Sequence, residues 1–87
     1  MTPSSAEEIE AAILRLLDQA GADKTVSPAD AARALSSGPE WHLQMPGVRR
    51  AAIRLALDGR LVIYRKGKPA DPNDFKGVYR LGPARQD

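Results

Sequence analysis

The sequence predicts a mainly α-helical fold that closes in a small β-hairpin. Three observations carry this expectation. Apolar residues recur at helical spacing in three separate segments before Gly59. Two of these segments begin at a serine suited to capping, and two place a proline in their first turn. After Gly59 the pattern changes to two β-branched and aromatic runs, separated by Gly67, Pro69, Pro72, Asn73 and Gly77.

The elements follow in order. Ser4 and Ser5 are N-cap candidates for helix one, with Glu7 or Glu8 at capping-box distance. Ile9, Ala12, Ile13, Leu16, Leu17 and Ala20 form its apolar stripe, and Gly21 stops it. Val26 is read as a stub of strand. Ser27 caps helix two, with Pro28 at its first position, where a missing N–H costs nothing. Ala29, Ala32 and Leu35 are its expected buried stripe, and Gly38 and Pro39 end it. Pro39 and Pro46 preclude one long helix across "PEWHLQMPG", leaving room for a single turn around Glu40–Leu43. Pro46 opens helix three, which runs to about Asp58 and is stopped by Gly59. "LVIYR" and "VYRL" are the two strands of a hairpin with a long tip. Residues 1–4 and 83–87 read as frayed tails of a single domain spanning 1–87. Helix, strand stub, helix, helix, strand, long loop, strand is the connectivity of a winged helix-turn-helix.

Eighty-seven residues bound the chain to one domain with a thin core. Without cysteine there is no disulfide framework and no thiolate metal site. No apolar run approaches the roughly 18 residues of a membrane span, and no signal peptide opens the chain, so a cytoplasmic protein is expected. Charge divides unevenly. Residues 1–40 hold three basic against seven acidic residues, a balance of −4. Residues 41–87 hold ten against four, a balance of +6. Either the C-terminal half meets a polyanionic partner or charge clusters on solvated faces.

One resemblance is specific. "SPADAARAL", the run Trp41, Met45, Val48, Arg49, Ala51, Ala52, and the run Gly67-Lys68-Pro69-x-Asp71-Pro72 resemble a small bacterial family of short winged-helix-like proteins of unknown function. The likeness covers about Ala6 to Leu81. It implies the fold and imports no activity; a nucleic-acid role is what the fold class suggests by analogy.

Two basic clusters are the candidate site. Wound at about 3.6 residues per turn, helix three places Val48, Ala51, Ala52, Leu55 and Ala56 on a core arc. Gly47, Arg50 and Arg54 then fall opposite it. In a helix-turn-helix that outer face enters the major groove, where arginine reads guanine or holds phosphate. The alternative is that Arg54 pairs with Asp58 and only solubilises the surface. Arg49, at the edge of the arc, is expected to lay its stem over the core. In the wing, Arg65, Lys66 and Lys68 lie together, with Lys76 returning on the far side. They are suited either to straddling a phosphate backbone or to keeping a sheet edge from pairing with another chain.

Other constellations carry less. Between the two helices of the motif a turn of about three to four residues is usual. Here Ser36 to Met45 is about ten positions, with Trp41 expected to anchor the junction onto the core. His42 is the only histidine and has no cysteine to assist it, so no metal site is expected. "DPND" at 71–74 lacks the distal glutamate of a calcium loop and reads as Asx capping of its own turn. No nucleophile elbow or P-loop is present. The expectation is therefore a non-enzymatic protein without cofactor or small-molecule substrate. It binds double-stranded DNA through Arg50, Arg54, Arg65, Lys66, Lys68 and Lys76. Its rival is a protein-interaction or self-association module, using the acidic half of one chain against the basic half of another, or Trp41, Leu43 and Met45 as an apolar patch.

Overall fold

The computed structural model describes residues 5–21 and 24–84. Helix α1 spans Ala6–Ala20. The Ser5 hydroxyl accepts from the Glu8 N–H at 3.2 Å, while the Glu8 carboxylate accepts from the Ser5 N–H at 3.2 Å. Two otherwise unpaired donors are thus satisfied, at a gain of about 1 kcal/mol. The other cap candidate, Ser4, lies outside the described residues. Ile9, Ile13 and Leu17 are buried, and Ala12, Leu16 and Ala20 flank them half-buried.

Helix α2 spans Pro28–Leu35 and starts with the same device, Ser27 and Asp30 bonding reciprocally at 3.1 and 3.2 Å. It is rolled relative to the expected stripe. Pro28, Ala31 and Ala32 are buried, whereas Ala29 and Leu35 are half-buried. The reason is that α2 packs against both α1 and the helix that follows, so two adjacent alanines point inward where neighbouring helices approach closely. The last helical hydrogen bond runs from the Ser36 N–H to the Ala32 carbonyl at 3.0 Å, and the Ser36 backbone is already extended, so the helix stops before Gly38 and Pro39.

The long junction is not a loop. A 3-10 helix spans Pro39–Gln44 and runs directly into helix α3, Met45–Leu57, with Pro46 in its first turn. Tighter winding up to Gln44 and a proline that donates no hydrogen bond mark the change of pitch. Trp41 is half-buried rather than fully buried; it packs on the core edge with the Arg33 guanidinium 4.8 Å from its ring centre. On α3, Val48, Ala51, Ala52 and Leu55 are buried as their spacing requires, and Ala56 is half-buried.

Strands β1 (Leu61–Arg65), β2 (Lys68–Pro69) and β3 (Arg80–Pro83) form an antiparallel sheet in the order β2-β1-β3. The expected single hairpin with a long tip is therefore corrected. β1 first turns back on itself through Lys66 and Gly67, pairing Arg65 with Lys68 and Tyr64 with Pro69. Only then does the chain pass to the other edge of β1, where Leu61 faces Pro83 and Ile63 faces Leu81. Lys66 and Gly67 both have left-handed φ, 53° and 81°, the pattern of a two-residue type I′ turn that matches strand twist. β3 also runs on through Gly82 and Pro83, so Pro83 is strand and not tail; residues 1–4 and 85–87 lie outside the described residues. Val26 bridges to Leu81 with two 2.8 Å hydrogen bonds, as the strand stub requires. Ile13, Val48, Leu55, Ile63 and Leu81 are the largest fully buried side chains and join α1 and α3 to the sheet, while α2 enters the same core through Ala31 and Ala32. Among the described residues no helix is long and apolar enough to cross a membrane.

Candidate nucleic-acid interface

The six candidate cations fall into two groups once their partners are known. Arg54 does not pair with Asp58. Its Nε donates to the Glu10 carboxylate of α1 at 2.6 Å, with half of its side chain still exposed. Gly47 belongs to the same flank: a Cβ there would stand 2.8 Å from the Ile9 side chain. The side of α3 carrying Gly47 and Arg54 therefore leans on α1 instead of facing away from it. Arg50 is exposed and makes no hydrogen bond or ion pair among the described residues. Its neighbours along the outer face are Pro46, half-buried Ile53 and exposed Leu57.

In the wing, the Arg65 guanidinium turns inward and donates to the Val78 carbonyl at 2.6 Å. It lies flat against Gly77, where a Cβ would meet Nη1 at 3.0 Å. Arg65 thus latches the end of β1 to the loop just before β3. Lys66, Lys68 and Lys76 are exposed and carry no hydrogen bond or ion pair among the described residues. The Asp71 carboxylate accepts from the Asn73 N–H at 2.9 Å, the Asx turn expected of "DPND".

Arg49 does more than cover the core. Its Nη2 donates to the Phe75 carbonyl at 2.8 Å, and its guanidinium sits 4.0 Å from the Phe75 ring centre and 5.7 Å from that of Tyr79. The two rings meet edge-on at 5.1 Å. A cation on α3 therefore anchors the loop that carries Lys76. Sequence reasoning missed this role because the partner lies 26 residues along the chain. The legible signal was an arginine at the margin of an apolar arc, together with two aromatics in a loop of otherwise small and charged residues. Arg80 is likewise tied, donating to the Thr25 hydroxyl at 2.7 Å and to the Thr25 carbonyl at 3.2 Å.

Tyr79 is buried and its hydroxyl has no hydrogen-bond partner among the described residues. Burial pushes that hydroxyl above its ordinary pKa of 10.0, and the Arg49 charge opposes the shift in part. No group of three metal-ligating side chains is found among the described residues.

A family model matches residues 6–84. The chain belongs to the family described as Protein of unknown function (DUF3253). The match takes in all three helices, the sheet and each of the six candidate cations. No curated protein matches the sequence. The DUF3253 description assigns no activity, so chemistry must be argued from the side chains themselves.

Proposed function

We propose that this domain is a winged helix that binds double-stranded DNA. In this reading α2 and α3 are the helix-turn-helix pair, with the 3-10 helix in place of the usual short turn. Residues 66–79 are the wing. The observation that carries the reading is the exposed set Arg50, Lys66, Lys68 and Lys76, none neutralised by a carboxylate among the described residues. Uncompensated surface cations are what a phosphate backbone requires, since each one that contacts a phosphate releases condensed counterions. Arg54 is offset by the Glu10 carboxylate that it bonds, and the Arg65 guanidinium is directed at the Val78 carbonyl.

The protein-interaction reading draws on exposed apolar side chains, Leu43 on the 3-10 helix and, apart from it, Leu57 and Val78. Trp41 and Met45, which would complete a patch with Leu43, are half-buried against the core. The test is fluorescence anisotropy with a labelled mixed-sequence duplex. A dissociation constant of roughly 10⁻⁴–10⁻⁶ M near physiological salt, tightening as salt falls, is expected. No binding at low salt would reject the DNA reading.

A further inference from the structure

Two surfaces of this fold are open to a duplex, the outer face of α3 and the tip of the wing. We infer that the wing tip at Lys66–Gly67 supplies the principal contact and that binding is therefore indifferent to base sequence. This rests on the DNA-binding reading above.

The outer face of α3 is poorly equipped to read bases. Along it stand Pro46, Arg50, Ile53 and Leu57, of which only Arg50 carries hydrogen-bond donors. Base discrimination in the major groove rests on bidentate donors and acceptors from several side chains. On the adjoining flank, Arg54 is held at 2.6 Å by Glu10, which brings a carboxylate toward the very surface that phosphates would approach. Both features weaken α3 as a reading head.

The wing tip has the opposite properties. Lys66 lies in a turn of only two residues and Lys68 is the first residue of β2 after it, so two exposed lysines flank Gly67 at one tip of the sheet. That tip is braced from behind. Arg65 bonds the Val78 carbonyl, and Arg49 holds the following loop through Phe75. A rigid tip loses little freedom on binding. Lysine acts as a point charge toward phosphate, without the planar fork by which arginine selects guanine.

Lys66 itself supplies an independent observation. It is the one non-glycine residue with positive φ, 53°, among the described residues. Asparagine, aspartate or glycine suits that position of a type I′ turn better than lysine. A local strain retained at an exposed loop tip points to a role for the side chain that imposes it.

The experiment compares wild type, Lys66→Asn, Lys68→Ala and Arg50→Ala on two duplexes of unrelated sequence, with salt titration and thermal melting. The expected result has four parts. Wild type binds both duplexes alike. Lys66→Asn melts higher than wild type yet binds both duplexes more weakly, its salt slope flatter by about 0.9. Lys68→Ala loses a similar slope. Arg50→Ala has a smaller effect, equal on the two duplexes. The inference is overturned if Lys66→Asn binds as wild type does, or if Arg50→Ala removes a preference of wild type for one duplex; the DNA-binding reading then survives. If wild type binds neither duplex at low salt, the DNA-binding reading itself fails.

Discussion

Arg49→Ala should loosen the wing and cost the fold about 2–4 kcal/mol. The magnitude follows from what the guanidinium touches. It donates a part-buried hydrogen bond of 2.8 Å to the Phe75 carbonyl, and a hydrogen bond from a charged group contributes roughly 1.5–3 kcal/mol. It also lies 4.0 Å from the Phe75 ring centre, a cation–π contact of about 0.5–2 kcal/mol. The two terms share one group and do not add fully. Truncation also removes a stem that covers the Phe75 and Tyr79 rings. With a urea dependence of about 1 kcal/mol per molar for a chain this small, the unfolding midpoint should fall by roughly 2 M or more. Arg49→Met should lose less, because it keeps the stem. Arg49→Lys should also fall short of wild type, because an ammonium cannot lie flat on the ring. Amides of residues 70–79 should exchange faster in Arg49→Ala than in wild type, since that loop loses its anchor on α3. If Arg49→Ala unfolds within about 0.5 kcal/mol of wild type, as an ordinary surface substitution would, the anchoring argument is wrong.

Tyr79→Phe should raise the melting temperature, because it removes a buried hydroxyl without a partner; a gain of about 1 kcal/mol is expected, and a loss would mean that the hydroxyl is bonded in solution. Tyr79 should also make stability fall with alkaline pH. Its folded pKa is raised, so the unfolded chain gives up the proton first; the contribution is whole below pH 10.0 and is lost as pH climbs through the folded value. Urea unfolding between about pH 9 and 11 should therefore show a steeper decline in wild type than in Tyr79→Phe. Trp41→Ala should cost about 2 kcal/mol, below the roughly 3–5 kcal/mol of a fully buried tryptophan, since Trp41 is only half-buried. Glu10→Gln should free Arg54 and strengthen duplex binding slightly at low salt, a difference that anisotropy would resolve and 0.5 M salt would erase.

What could be read from the sequence was local. Ser5 and Ser27 cap where a serine precedes an apolar run, and the arc Val48, Ala51, Ala52, Leu55 follows from helical period alone. The roll of α2 could not be read, because alanines mark no face strongly. The course of the wing was hidden for a different reason. A two-residue hairpin turn is announced by Asn-Gly or Asp-Gly, and here Lys66-Gly67 takes that conformation without the usual first residue. The candidate site was half legible. Arg50, Lys66, Lys68 and Lys76 are exposed, as residues beside turns and opposite a core arc should be. The inward turn of Arg54 toward Glu10 and of Arg65 toward Val78 depends on how α1 packs on α3 and how the loop returns, and neither pairing lies within one element. Spacing along a helix places Arg54 near Asp58 just as readily.

In the proposed function a braced basic wing meets the DNA backbone. Titrating isotope-labelled protein with an unlabelled mixed-sequence duplex at low salt, and following backbone amide shifts, tests it most directly. Saturable changes concentrated at residues 65–69 and 76–78 are expected, with a weaker response at Arg50 and none at Leu43 or the exposed face of α1. Shifts that centre on Trp41–Leu43, or a spectrum that does not change at saturating duplex, would contradict it.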